Sequence, residues 1–159
     1  MSGAKRYAWE DFAPGAVREF GSHTLTRDEI VAFATQFDPQ PFHLEEAAAE
    51  ASLFGALAAS GWHTCALVMR MMCDDFLVDS TSLGSPGIDN LRWLKPVLVG
   101  DTLRVRLHFL EVRPMASRPH VGLVRNRYEV LNQRDETVLT MEGWGMFGRR
   151  EVASSEPSA

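Results

Sequence analysis

Cysteine is scarce in this sequence, with only Cys65 and Cys73 among 159 residues. Both fall in one helical stretch, where eight residues of separation correspond to about 12 Å along the axis. A disulfide requires Cα atoms within about 7 Å, so the two cannot pair within one chain. A disulfide-stapled scaffold is excluded, and two buried thiols in a reducing cytoplasm are expected. An excess of basic charge is also lacking: 16 Lys and Arg stand against 21 Asp and Glu, a formal net charge of -5. That argues against nucleic acid as a partner, which calls for a basic stripe, although a local basic patch can still hold an anionic ligand. No long apolar run is present. Trp62 to Val78 is interrupted by His63, Arg70, Asp74 and Asp75, and it falls short of the roughly 20 residues of a membrane span. The opening MSGAKRYAWEDF carries basic residues without an apolar core behind them, so no secretory leader is expected. His, Cys, Asp and Glu nowhere adopt a convincing metal-ligand spacing, and there is no internal repeat. These absences leave one cytoplasmic domain over residues 1–150, with no metal and no membrane contact. A disordered tail rich in Ser, Pro and Ala is expected over 151–159.

What is present is an order of elements. Residues 1–14 read as an irregular strap, and 16–25 as a short strand. Thr26 and Glu29 have capping-box spacing at the start of a helix, and Ile30, Phe33, Ala34 and Phe37 give it one apolar face. Asp38-Pro39-Gln40-Pro41 ends it, because proline removes a donor and restricts the residue before it. A second helix is expected over 44–53 from its Ala and Glu content. Ser60 then stands where an N-cap belongs. Trp62, Cys65, Ala66, Met69, Met72, Cys73 and Phe76 follow at helical spacing, with Leu67, Val68 and Met71 apolar on the other side. Such a helix should be wrapped on most faces, with the methionines as adaptable packing. After Ser80 the pattern turns to strand. Gly84-Ser85-Pro86-Gly87 reads as a turn. Leu103, Val105, Leu107 and Phe109 alternate with polar residues, as do Val124, Asn126, Tyr128 and Val130. Residues 132–135 supply a hairpin turn before a last strand over 136–147. An apolar helix followed by about four antiparallel strands implies an α+β domain with the helix as filling.

Three segments carry a resemblance. Asp38-Pro-Gln-Pro-Phe-His43, followed by Leu44-Glu45, resembles the hydratase motif of MaoC-like proteins, Asp-x-Asn-Pro-x-His-x-Asp. Ser60-Gly61 stands where that family usually has His-Gly at the head of its central helix. Asp89-Asn-Leu-Arg-Trp-Leu-Lys-Pro96, with Gly100-Asp101-Thr102-Leu103, is similar to the family's strand-turn segment. The likeness covers roughly residues 8–148. It departs from the pattern at Pro39, at Gln40 in place of Asn, at Glu45 in place of Asp, and at Ser60 in place of His. The resemblance implies a hot-dog fold, a curved antiparallel sheet wrapped around a long central helix. It further implies an (R)-specific enoyl-CoA hydratase or 3-hydroxyacyl-CoA dehydratase that works as a homodimer or larger homo-oligomer, with a coenzyme A thioester as substrate and no other cofactor.

The residues suit that chemistry. An imidazole, with a reference pKa near 6.5, exchanges protons at neutral pH, and a neighbouring carboxylate can orient it and hold the same water. The resemblance assigns this dyad to Asp38 and His43. The head of a helix offers unpaired N–H groups and the positive end of a dipole, and the family pattern places the thioester carbonyl on Gly61 N–H. Gln40, Phe42, Ser60 and Trp62 are the expected substrate contacts, with helix capping a further role for Ser60. His63 is expected to be structural, with one nitrogen bonded to backbone or a neighbour, and no special role falls to His23, His108 or His120. Arg92, Lys95, Arg113, Arg118 and Arg125 are candidates for the coenzyme A phosphates. Two other readings stand beside this one: an acyl-CoA thioesterase on the same fold, and a non-catalytic acyl-CoA-binding protein. The first is disfavoured because Trp62 to Met72 contains no acid to activate a hydrolytic water.

Overall fold

The computed structural model describes residues 3–150, and the expected tail over 151–159 lies outside them. Five strands form a single sheet: β1 (Val17–Thr24), β2 (Ser82–Trp93), β3 (Thr102–Pro114), β4 (Val121–Leu131) and β5 (Thr137–Gly148). Their order is β1-β3-β4-β5-β2, and every pairing is antiparallel. The helices are α1 (Arg27–Phe37), α2 (Glu46–Glu50) and α3 (Gly61–Met72), and α3 runs on into a π-helical turn over Cys73–Leu77. Leu67, Val68, Met71, Met72 and Phe76 from this helical stretch share one core with Leu103, Val105, Leu107, Val124, Val130 and Leu139 of the sheet. This is the hot-dog arrangement, a helix held by a sheet. The alternation in β3 and β4 works as expected, since Leu103, Val105, Leu107, Val124, Tyr128 and Val130 all point inward and are buried.

Local chemistry sets the element ends. Thr26 and Glu29 close a reciprocal capping box at the head of α1, with Glu29 N–H donating to Thr26 Oγ1 at 3.2 Å and Thr26 N–H to Glu29 Oε2 at 2.9 Å. Three expectations need correction. The second helix is short because Ser52 Oγ donates to Ala49 O and accepts from Phe54 N–H. That local bonding competes with the helical ladder, and Gly55 with φ +71° then turns the chain away. The cluster Gly84 to Gly87 is a bulged stretch of β2 rather than a turn, with register shifts against β5. An edge strand tolerates Pro86, whose missing N–H can face outward, and Gly84 takes φ +100° without a side chain to clash. Finally, α3 is not enclosed all round in the single chain. His63, Thr64, Leu67, Val68, Met71 and Met72 are buried, whereas Trp62 and Met69 lie open. With them are exposed Leu83, Ile88, Trp93 and Leu94 of β2 and the segment after it. Cys65 and Cys73 are half-buried free thiols, and among the described residues no helix is long and apolar enough to cross a membrane.

Candidate active site

Asp38 is the residue on which α1 stops. Its N–H still bonds back to Ala34 O at 2.9 Å, while its φ of -150° and ψ of 66° turn the chain out of the helix. Pro41 begins a single 3-10 turn that ends at His43, and His43 N–H donates to Gln40 O at 2.9 Å. This short, proline-stiffened link places His43 Nε2 3.3 Å from Asp38 Oδ2. The imidazole is 4 % exposed, packed edge-on against Phe42 and beside Phe54.

The tautomer of His43 follows from its other nitrogen. Nδ1 lies 2.7 Å from Ala58 O, and a carbonyl can only accept, so Nδ1 carries a hydrogen. Ala58 is itself fixed, bridged to Leu98 and flanked by Ala59 N–H donating to Val97 O at 2.8 Å. In the neutral ring, therefore, Nε2 presents a lone pair toward the Asp38 carboxylate. Two acceptors so close need a proton between them or a water that donates to both.

Each oxygen of Asp38 is also held from behind. Ser60 Oγ donates to Oδ2 at 2.7 Å and Gln40 Nε2 donates to Oδ1 at 2.6 Å. Burial pushes the carboxyl pKa up, but these two bonds and the neighbouring His43 charge outweigh it, and the net direction is down from 3.8. Asp38 is thus a carboxylate at neutral pH, oriented and weakly basic.

Gly61 is the first residue of α3, and the N–H groups there lack intrahelical partners. It is packed under an indole: a Cβ at Gly61 would lie 2.5 Å from Cε2 and Nε1 of Trp93. Asp38, His43 and Gly61 line one cavity of about 350 Å³, whose other walls include Trp62, Trp93 and Lys95. The Trp62 and Trp93 rings meet edge to face with centroids 5.2 Å apart.

Of the residues expected from the sequence, Asp38, His43, Gly61 and Trp62 therefore converge. Ser60, Gln40 and Phe42 do not line the cavity: the first two support Asp38, and Phe42 packs on Phe54 and His43. The expected cap at Ser60 is a correction, since its hydroxyl makes no bond to the helix and is spent on Asp38. His63 is another. Its ring stacks on Phe33 at 4.7 Å, but its buried Nδ1 has no partner among the described residues, and burial lowers its pKa. Lys95 reaches the wall while ion-paired to Glu136. Arg113 and Arg125 instead flank Trp144 on the sheet. Sequence reasoning missed Trp93 as a wall, although it lies inside the segment Asp89–Pro96 that carried the resemblance. Among the described residues no group of three His, Cys, Asp or Glu is gathered as a metal site.

Comparison with known proteins places the fold in a family. The model of the MaoC like domain matches residues 11–131. The chain belongs to the MaoC-like family. A MaoC-like dehydratase from Rhodospirillum rubrum superposes with a TM-score of 0.83 at 40% identity, over 91% of this chain and 98% of that one. The uncharacterized protein YdeM of Bacillus subtilis is 26% identical over 133 residues, 84% of this chain and 93% of its own length. Mesaconyl-CoA hydratase of Cereibacter sphaeroides is 37% identical over 67 residues, which are 42% of this chain and 19% of that protein. Asp38, His43 and the head of α3 lie within the matched residues.

Proposed function

We propose that this MaoC-like protein adds water across the double bond of a 2-enoyl-CoA to give the (R)-3-hydroxyacyl-CoA, or runs the reverse dehydration. The observation that carries the reading is the Asp38–His43 pair at 3.3 Å, with Nδ1 tied to Ala58 O, on the wall of the cavity that Gly61 lines. The hydratase and dehydratase named among its relatives support the same reaction class.

The chemistry follows from the roles the geometry leaves open. The thioester carbonyl accepts a hydrogen bond from Gly61 N–H, where the helix dipole favours developing negative charge. A water bridging Asp38 Oδ2 and His43 Nε2 loses one proton to Nε2, and its oxygen bonds to C3. The electron pair of the double bond moves toward the carbonyl, giving an enolate whose oxygen Gly61 N–H steadies. The imidazolium then returns its proton to C2, so that one water has been added and the dyad is restored. His43 is the base in this scheme, because Asp38 already accepts from Ser60 and Gln40 and is held down in pKa. Asp38 orients the water and stabilises the imidazolium.

The substrate needs no cofactor beyond its own coenzyme A. Of the expected cations Lys95 lines the cavity, and it is the candidate for the phosphates. A homodimer is part of the proposal. The edge strand β2 leaves Leu83, Ile88 and Trp93 open, next to Trp62 and Met69 of α3, and pairing this edge with a second copy would cover them.

Purified protein mixed with crotonyl-CoA should consume the conjugated enoyl absorbance and yield (R)-3-hydroxybutyryl-CoA. Asp38→Asn and His43→Ala should each lower kcat/KM by about 10²–10⁴-fold. Release of free thiol in place of hydration would move the assignment to a thioesterase. An enoyl-CoA bound but unchanged would make the protein a binding module.

A further inference from the structure

A second cavity, of about 130 Å³, lies between α3 and the sheet; Cys65, Met69 and Met72 line it from the helix and Ile88, Tyr128 and Trp144 from the strands. The reaction cavity draws on the same two elements, through Gly61 and Trp62 of α3 and Trp93 of β2, with no lining residue in common. Met69 is eight residues beyond Gly61, about 12 Å further along the helix axis. An acyl chain whose thioester sits at Gly61 and whose carbons follow α3 arrives here with its distal end. An engineered apolar cavity of about 150 Å³ holds benzene, so this one suits about the last six heavy atoms of a chain.

The lining is apolar apart from a few polar groups, and Asn126 stands out among them. It projects inward from β4, is 4 % exposed, and its Oδ1 is buried with no hydrogen-bond partner among the described residues. Its Nδ2 reaches the Tyr128 hydroxyl at 3.4 Å. Turning the amide over exchanges oxygen and nitrogen and leaves one end unpartnered either way. A buried polar group without a partner is costly, and in binding pockets a few such groups fix ligand orientation.

We propose that this second cavity receives the distal end of the acyl chain and that Asn126, with Tyr128, selects chains ending in a hydroxyl. A hydroxyl both donates and accepts, so it satisfies the free end of the amide in either orientation. The inference rests on the acyl-CoA reading of the first cavity and names the substrate class: medium-chain acyl thioesters oxygenated at the far end.

Saturated thioesters carry no double bond to hydrate, so binding can be read apart from turnover. Calorimetric titration of the full chain with decanoyl-CoA and 10-hydroxydecanoyl-CoA should show the hydroxylated ligand bound more tightly by roughly tenfold. Asn126→Leu should erase or reverse that ratio. Tyr128→Phe, which removes a single oxygen, should reduce it, and it serves as the readout if the leucine variant does not fold. Equal or tighter binding of decanoyl-CoA by the wild type would overturn the proposal, as would a ratio unchanged in the variants. Either is the result expected if Asn126 is matched to a trapped water. Failure of crotonyl-CoA turnover with the tenfold ratio intact sinks the catalytic reading alone, and a ratio of one with turnover intact sinks this inference alone. If neither thioester binds, this inference falls, and crotonyl-CoA turnover alone decides the catalytic reading.

Discussion

Ser60→Ala tests whether the hydroxyl at the head of α3 serves the helix or the carboxylate. The side chain is buried, and its Oγ donates to Asp38 Oδ2 at 2.7 Å. A hydrogen bond to a charged group contributes about 1.5–3 kcal/mol, so the variant should lose about 2 kcal/mol at pH 7. The pH dependence discriminates. Asp38 has a folded-state pKa below its unfolded value, near 3.9 for a free Asp side chain. The stability it contributes is therefore complete above that value and is lost as pH falls through the folded pKa. Ser60 is one cause of the depression, so removing its hydroxyl raises the Asp38 pKa and removes stability only where the carboxylate is ionised. The gap between wild type and Ser60→Ala should be widest at pH 7 and should narrow as pH falls below the unfolded value toward the folded pKa of Asp38. A cap bonded to helix N–H groups would instead contribute about 1 kcal/mol regardless of pH in this range. Urea unfolding of both proteins at a series of pH values measures the gap directly. A constant difference near 1 kcal/mol across the series would refute the reasoning.

Three further outcomes are expected. Gly61→Ala places a Cβ 2.5 Å from the Trp93 indole; overpacking costs about 1–3 kcal/mol, partly offset by the better helix propensity of Ala. The half-exposed ring can swing aside, so thermal unfolding should change little. Turnover of crotonyl-CoA should nonetheless fall on the order of 10²-fold, since the oxyanion donor is then crowded; unchanged kinetics would remove Gly61 from the mechanism. His63→Phe keeps the stack on Phe33 and deletes the unpartnered Nδ1. Burial lowers the His63 pKa in the folded state, so the wild type loses stability as pH falls below the unfolded value of about 6.5. The phenylalanine variant should lose less between pH 7 and 5, as denaturant midpoints will show; parallel losses would contradict the assignment. Ile88→Asp puts a charge on the open edge of β2, and light scattering after gel filtration should show the proposed dimer weakened; a variant that keeps a dimeric mass would place the interface elsewhere, and a monomeric wild type would refute the dimer.

Much of the fold was legible because it rests on short-range patterns. The capping box at Thr26 and Glu29 and the alternation in β3 and β4 depend on neighbours a few residues away, and all are present in the structure. The bulged stretch Gly84–Gly87 was misread because glycine and proline signal a turn wherever they cluster. Only the position of β2 at the sheet edge makes them tolerable in a strand. The exposed side of α3 was misjudged for a related reason: composition shows that Trp62 and Met69 are apolar, but not what covers them. In the site, Asp38 and His43 belong to one local motif and could be paired from sequence. Trp93 stands 32 positions from Gly61 in the chain and meets it only through the packing of β2 on α3, so no local pattern announces it as a wall.

Two of the departures from the family pattern, Gln40 and Ser60, act on one side chain. Gln40 and Ser60 are 20 positions apart and read separately as unrelated substitutions. In the structure each donates to a different oxygen of the same carboxylate, at 2.6 and 2.7 Å. A carboxylate held by two donors is a poor base and a good fixed charge. In the proposed reaction that leaves proton exchange to His43, whose Nδ1 is occupied by Ala58 O and whose Nε2 faces Asp38 Oδ2. The roles proposed for Asp38 and His43 follow from the groups behind them rather than from the pair alone.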